Sequence, residues 1–314
     1  MNPYSYQHNE LGSNTHLEET TPRWLRYAVD FSTAYTTQYK ESNTVFGEYF
    51  QPRDANCAPL AIMVHGWGDR SVIPCRLLAR TLAKKGIASF ILYLVFHSKR
   101  MPETIRNRIP LFLTPEEWFE GYRASVIEIR QIIDWASSRP ELAREQVAVI
   151  GISLGGFVSA IAMGLDKRIK AGIFLVTGGN SEKITWNTKS QSVLKGHGCT
   201  EAECHQARSH YPKYLSDIAE KGFDNVIPAK ECFLTDTLTF APYLRERSIL
   251  MLNALWDEVI PRQATLDFWE ACNKPSITWL PSTHVTFWLW YPFIERKITG
   301  FLTSTFGISN KRPT

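Results

Sequence analysis

The sequence has no apolar run that approaches the ~20 residues needed to cross a bilayer as a helix. Residues 1–16 lack the basic and apolar stretches of a secretory signal. There is also no dense basic segment of the kind that binds nucleic acid, no internal repeat and no low-complexity tract. We therefore expect a cytoplasmic protein with reduced thiols, no integral membrane association and no nucleic-acid partner.

The six cysteines include no C-x2-C pair, the spacing that is typical of structural zinc sites. One segment does combine thiols and imidazoles: Cys199, Cys204 and His205, with His197 and His210 nearby. In that segment Thr200 is followed three residues later by Glu203, which is the pattern of a capping box at the start of a helix. We favour the helix over a zinc site, and we predict no metal and no organic cofactor.

The composition is that of an ordinary folded protein. The chain has 314 residues, of which 44% are hydrophobic and 21% charged, and its formal net charge is +4. This length suffices for one large α/β domain or for two small domains.

Short apolar runs alternate with helical patterns along most of the chain. The best helix start is Thr114, which precedes Pro115 and stands three residues before Glu117. Alternating strands and helices of this length indicate βαβ units, so we predict an α/β fold with a mostly parallel sheet and helices on both faces. The buried strands are predicted at 60–64, 87–95, 147–150, 171–176, 249–252 and 277–280, with an outer strand at 45–50 and a last helix at about 284–303.

Two segments depart from the alternation. Residues 1–22 are polar and are predicted to be a flexible N-terminal arm, which leaves residues 23–314 as a single domain. Residues 181–235 contain no strong strand pattern but do contain helical pieces, so we predict that they form a cap insertion. The aromatic run at 287–291 could touch lipid or a hydrophobic substrate, although packing of the last helix against the sheet is the favoured interpretation.

The segment GISLG at 151–155 fits G-x-S-x-G and joins an apolar strand to a helical pattern. A serine on such a tight strand-to-helix turn presents its hydroxyl outward, and bulky side chains do not fit two positions to either side. We predict that Ser153 is a nucleophile rather than part of a glycine-rich turn without function.

A serine hydroxyl needs an adjacent base, and in this fold the chain order is serine, acid, histidine. His284 is the histidine that follows a late strand, and Asp257 lies just after the strand before it. We predict His284 as the base and Asp257 as the acid. Glu258 stays open as the acid, and His284 and Asp257 could instead be helix-capping or loop residues.

The loop after the first buried strand, HGWG at 65–68, contains two glycines that allow close approach to a ligand. We predict an oxyanion hole formed by the backbone N–H groups of Trp67 and Leu154. His65 is interpreted as structural. His97 and Arg100 follow the second buried strand at the edge where ligands bind in open α/β sheets, so they are candidate substrate-binding residues, although a solvated loop is equally possible.

The segments HGWGD, GISLGG, MLNALWDEVIP and WLPSTH together resemble the α/β-hydrolase superfamily over roughly residues 45–303. The chain is similar to bacterial esterase-like members near the dienelactone hydrolases and acetyl-ester deacetylases. Dienelactone hydrolases use cysteine where this chain has Ser153, and relatives often have glycine at the positions of Ala254 and Thr283. The resemblance implies hydrolysis of a small-molecule carboxylic ester or thioester by a serine, histidine and aspartate through an acyl-enzyme. A peptidase or acyltransferase on the same residues, and a non-catalytic binding protein, are the alternatives.

Overall fold

The computed structural model describes residues 2–8, 11–68, 72–108, 113–190, 193–194 and 198–308. Within this part of the chain one sheet contains nine strands: β1 (Ser13–Thr20), β2 (Trp24–Ser32), β3 (Thr44–Pro52), β4 (Ala58–Val64), β5 (Ala88–Tyr93), β6 (Leu142–Ile152), β7 (Ile169–Leu175), β8 (Ser248–Ala254) and β9 (Ser276–Leu280). Their order is β1-β2-β3-β5-β4-β6-β7-β8-β9. The strands from β5 to β9 in this order pair in parallel, and β1, β2 and β3 pair antiparallel.

Helices cover both faces of the sheet. They are α1 (Val72–Lys84), α2 (Glu103–Arg106), α3 (Pro115–Ser137), α4 (Leu154–Leu165), α5 (Ser181–Asn187), α6 (Glu201–Arg208), α7 (Tyr211–Lys221), α8 (Cys232–Thr235), α9 (Thr237–Phe240), α10 (Arg262–Ala271) and α11 (Tyr291–Thr305). The predicted capping box at the start of α3 is confirmed, because the Thr114 hydroxyl accepts the Glu117 N–H and the Glu117 carboxylate accepts the Thr114 N–H. No helix in the described ranges is long and apolar enough to span a membrane.

The continuous apolar runs form strands that are covered on both faces. Along β4 every residue is buried, and side chains alternate between two hydrophobic cores. Leu60 and Ile62 belong to the core on one face, whereas Ala61 and Met63 belong to the core on the other. A strand that is buried on both sides has no polar face, which explains why the pattern in the sequence does not alternate. The predicted fold class is confirmed.

The N-terminal region differs from the sequence-based expectation. A flexible arm is predicted for residues 1–22, but Ser13–Thr20 form the edge strand of the sheet and Tyr4 is fully buried, with its hydroxyl donating to Leu234 O at 2.7 Å. The strand β1 is exposed on both faces and is held by backbone pairing to β2, so its residues carry no hydrophobic period. The strand predicted at 45–50 is also not an outer strand, because β1 and β2 lie beyond it.

The last helix begins later than predicted. His284 lies in a loop, a 3-10 turn covers Thr286–Trp290, and α11 starts at Tyr291. The favoured interpretation of the aromatic run, that it packs against the sheet, is confirmed in part. Phe287 is fully buried, and α11 buries Ile294, Ile298 and Leu302 against the sheet. Leu289, however, is 81% exposed.

Arg100 is buried in the fold and does not face a ligand site. Its guanidinium makes a two-pronged ion pair with Glu128 of α3, with Nη2 at 2.6 Å from Oε1 and Nη1 at 2.8 Å from Oε2. The same two nitrogens donate at 2.6 Å to the carbonyls of Tyr93 and Ser42. Both charged side chains are 0% exposed. The proposed substrate-binding role of Arg100 is therefore wrong, because the side chain is fully buried and both Nη groups donate within the fold.

Replacement of this buried cation should destabilise the fold. Arg100→Met leaves the Glu128 carboxylate buried without a counter-charge, and we expect it to lower the free energy of unfolding by about 3–5 kcal/mol, measured by urea denaturation. The matched double variant Arg100→Met/Glu128→Leu removes both charges and should recover part of that loss. An unchanged free energy of unfolding in Arg100→Met would contradict the structural role given to Arg100.

Candidate active site

Ser153 occupies a sharp turn between β6 and α4. Its backbone has φ 50° and ψ −116°, a conformation that non-glycine residues rarely adopt. Its N–H donates to Leu175 O on the neighbouring strand at 2.8 Å. This bond anchors the turn to the sheet while the side chain projects from the carboxyl edge of β6.

The glycines that flank Ser153 are required by close contacts of the backbone. A Cβ at Gly151 would lie 2.4 Å from Gly155 O, and a Cβ at Gly155 would lie 2.1 Å from Val64 O. Both distances are far shorter than a real Cβ contact, and the atoms in the way belong to the backbone. The G-x-S-x-G pattern is therefore explained by packing of the turn against β4 and against itself.

His284 and Asp257 meet Ser153 at the same edge of the sheet. His284 Nε2 is 3.0 Å from Ser153 Oγ, and His284 Nδ1 is 2.8 Å from Asp257 Oδ2 and 2.9 Å from Oδ1. The side chains of His284 and Asp257 are only 16% and 5% exposed. A hydroxyl, an imidazole and a carboxylate in such a row are the groups that can activate a serine for nucleophilic attack.

Glu258 has a different contact from its neighbour. Its Oε2 accepts the backbone N–H of His284 at 2.9 Å and does not reach the ring. Asp257 Oδ1 also accepts the N–H groups of Val259 and Ile260, at 2.9 and 2.8 Å, so the loop fixes the carboxylate in its place. Of the two acids that the sequence left open, Asp257 contacts the imidazole and Glu258 positions the loop that carries it.

The loop after β4 faces this row of side chains. A Cβ at Gly66 would lie 3.4 Å from Ser153 Cβ, so the loop backbone passes close to the serine. The His65 ring links Gly66 O, 2.7 Å from Nδ1, to the N–H of Leu94, 3.1 Å from Nε2. A carbonyl oxygen can accept a hydrogen bond but cannot donate one, so Nδ1 must carry the ring proton. Nε2 is then unprotonated and accepts the N–H of Leu94. His65 is thus structural and holds this loop in one orientation.

A cavity of about 890 Å³ opens beside Ser153 and His284. Its wall is largely aromatic and aliphatic and includes Trp67, Trp118, Phe157, Ile260 and Trp288. Residues of the segment predicted as a cap, among them Ile184, Val193 and Ala207, also line the cavity. Trp118 and Tyr122, which also line the cavity, are functional candidates that the sequence analysis missed. Their i, i+4 spacing at the start of α3 puts them on one helix face, and that was the available signal.

The thiol-rich segment of the cap forms a helix. Thr200 and Glu203 make both bonds of the predicted capping box at the start of α6. Cys199, Cys204 and Cys232 line the cavity, and burial raises the pKa of Cys232 to about 11. Among the described residues no group of three or more His, Cys, Asp or Glu side chains is arranged to hold a metal ion, and His197 lies outside them.

His97 lies behind the wall of the cavity, not in it. The ring is 2% exposed and packs edge-on against Trp67, with 4.8 Å between ring centroids. Its Nδ1 donates to Val95 O at 2.9 Å. Burial lowers the pKa of His97 to about 4, so the ring is neutral near pH 7. The candidate substrate-binding role of His97 therefore becomes a packing role under Trp67.

The lowered pKa of His97 predicts a pH-dependent stability. The unfolded chain binds this proton below about pH 6.5 whereas the folded chain binds it only near pH 4, so stability is complete above pH 6.5 and falls as the pH decreases. Between about pH 7.5 and about pH 5 the loss should be about 2 kcal/mol. His97→Asn keeps a donor for Val95 O and should flatten this part of the urea-unfolding profile. An equal loss in both proteins would show that other groups cause it.

A family model described as "Alpha/beta hydrolase domain containing 18" matches residues 36–192, which is half of the chain. The match includes the loop at Trp67 and the turn at Ser153. A search of curated proteins finds no match.

Solved structures of the same fold include several esterases. Acetyl xylan esterase from Paenibacillus sp. R4 is 18% identical, with a TM-score of 0.69 over 94% of this chain and 89% of that chain. Acetyl xylan esterase 1 from Thermoanaerobacterium sp. JW/SL YS485 is 13% identical, with a TM-score of 0.63 over 94% and 90%. The alpha/beta hydrolase GrgF from Penicillium sp. sh18 is 17% identical, with a TM-score of 0.60 over 90% and 99%. At identities this low, the structural likeness shows that the fold is shared and shows nothing more. The shared fold agrees with the resemblance found in the sequence motifs. The family match over half of the chain shows that the chain belongs to the family described as alpha/beta hydrolase domain containing 18.

Proposed function

We propose that the chain is a serine hydrolase that cleaves carboxylic esters or thioesters through an acyl-enzyme. The observation that carries this proposal is the hydrogen-bonded row of Ser153, His284 and Asp257 beside a large and mostly apolar cavity. The row needs no metal or organic cofactor for its chemistry, because the imidazole itself moves the proton.

In the first half of the reaction Ser153 Oγ attacks the carbonyl carbon while His284 Nε2 accepts the hydroxyl proton across 3.0 Å. Asp257 accepts a hydrogen bond from Nδ1, which selects the tautomer with a free lone pair on Nε2 and stabilises the imidazolium that forms. His284 then passes the proton to the leaving alcohol or thiol. In the second half, water attacks the acyl-serine with His284 again as the base.

The negative charge on the tetrahedral intermediate is stabilised by the N–H groups of Leu154 and Trp67. Leu154 is the first residue of α4, where N–H groups lack partners within the helix. The peptide N–H of Trp67 points opposite to the Gly66 carbonyl, because a trans peptide is planar. Since His65 holds that carbonyl at 2.7 Å, the ring also fixes the direction of the Trp67 N–H.

The choice of ester over amide is supported by analogy. Two of the structural neighbours are named acetyl xylan esterases, although fold likeness alone does not assign a substrate. Alcohols and thiols are also better leaving groups than amines.

Replacement of the nucleophile tests the proposal directly. Ser153→Ala should lower kcat for p-nitrophenyl acetate by about 10³–10⁶-fold and abolish labelling by a fluorophosphonate probe, because it removes the hydroxyl that contacts His284 Nε2. Ser159→Ala, on the same helix but away from the cavity, is the matched control and should keep both. Unchanged turnover in the first variant would refute the assignment. Turnover of peptides but not esters would favour a peptidase, and an unlabelled, inactive wild type would favour a binding protein.

Substitution of Asp257 should lower kcat much more than substitution of the adjacent Glu258. Asp257→Asn places an amide where the imidazole needs an acceptor, so we expect kcat to fall by about 10²–10⁴-fold with little change in KM. Glu258→Gln keeps an oxygen for the His284 N–H and should reduce kcat by less than about tenfold. A larger loss in Glu258→Gln than in Asp257→Asn would assign the acid to Glu258.

A further inference from the structure

Several exposed hydrophobic side chains lie on segments that also contribute residues to the cavity or to the active site. The described residues expose nine large hydrophobic side chains, and six of them lie on α1, directly before Asp257 or in the segment after His284. We name this set the apolar rim, and its members are Ile73, Leu77, Trp256, Val285, Leu289 and Trp290. Leu289, Val285 and Trp256 are 81%, 75% and 61% exposed. Single exposed hydrophobic residues are common on protein surfaces, but a group of this kind around a cavity indicates a binding surface.

The members of the apolar rim are brought together by the fold. Pro74 of α1 and Val285 both line the cavity, so α1 and the segment after His284 meet beside it. Tyr291 lies beside Thr81 of α1, one turn beyond Leu77 on the same helix face. On the other side, the N–H of Trp256 donates to Ser282 O at 3.0 Å, which joins its loop to the loop of His284.

We propose that the apolar rim docks on a lipid–water interface, from which an apolar ester enters the cavity. The delivery of substrate rests on the proposed function, whereas the docking does not. A permanently bound protein would close the mouth, while a lipid phase can cover the rim and still supply substrate. Tryptophan is favoured at membrane interfaces, and two of the six rim residues are tryptophans.

The charge around the rim fits an anionic surface. Arg296 and Lys297 are exposed on α11, within two turns of Trp290. Both cations on α11 lie against the Phe293 ring, 5.8 and 5.5 Å from its centroid. The net charge of the chain is +4. Basic side chains near a membrane surface attract it by about 1 kcal/mol each at moderate salt, so anionic headgroups should strengthen the docking.

Vesicle flotation with the full-length protein tests the docking without any need for turnover. The wild type should float with phosphatidylcholine vesicles and more strongly with vesicles in which phosphatidylglycerol replaces part of the phosphatidylcholine. Leu289→Ser/Trp290→Ser should reduce the partition coefficient by about tenfold or more, because two exposed apolar side chains no longer enter the interface. Arg296→Gln/Lys297→Gln should reduce only the gain from phosphatidylglycerol, by about fivefold per residue. Leu17→Ser, on the opposite edge strand of the sheet, is the matched control and should bind as the wild type.

A second measurement connects docking to catalysis. The ratio of hydrolysis of a long-chain ester carried in vesicles to hydrolysis of dissolved p-nitrophenyl acetate should fall in the Leu289→Ser/Trp290→Ser variant. If no ester is cleaved by the wild type, the proposed function fails while flotation still decides the docking. The docking proposal fails if the wild type does not float with either vesicle, or if the rim variant and the Leu17 control bind equally. A concentration-dependent dimer that the rim variant loses would also overturn it, by assigning the rim to a second copy of the chain.

Discussion

The whole candidate site depends on one strained turn at the end of β6. Ser153 has a positive φ, a conformation that costs a non-glycine residue about 1–3 kcal/mol. The N–H of Ser153 is bonded to Leu175 O, and the backbone of the turn packs closely at Gly151 and Gly155, which together hold it in place. This conformation points the hydroxyl out of the sheet edge, where side chains from more distant segments can reach it. A single local constraint thus decides where the chemistry can occur.

Much of the fold and the centre of the site could be predicted from the sequence because both leave local signals. Strands that are buried on two faces must be apolar throughout, which made β4, β6 and β7 recognisable. The tight turn requires small residues around Ser153, and the position of Asp257 and His284 after successive strands follows from the chain order of the fold. The chain order could not separate Asp257 from the adjacent Glu258, but the contacts in the structure do. Glu258 contacts the backbone of His284 and not its ring.

The missed features depend on contacts between distant residues. The strand β1 has no hydrophobic period because it is exposed on both faces and is held by pairing to β2 rather than by burial. Arg100 stands at a sheet edge that often binds ligands, but nothing in the local sequence indicates that Glu128, on a helix, takes its charge. His97 has the same position and is covered by Trp67. Position along a strand therefore predicts an edge, whereas the neighbouring elements decide which side chains at that edge reach the cavity.

The side chains of the segment from His284 to Trp290 have several different environments, which one face of a regular helix could not provide. His284 must turn toward Ser153, Phe287 fills the core, and Trp288 lines the cavity. Within the 3-10 turn Phe287 is fully buried, whereas Leu289 is 81% exposed. The helical pattern expected from residue 284 onward assumed one buried face. In the irregular turn, side chains of this short segment instead point toward Ser153, into the core, into the cavity and toward solvent. The side chains that point toward solvent form part of the apolar rim.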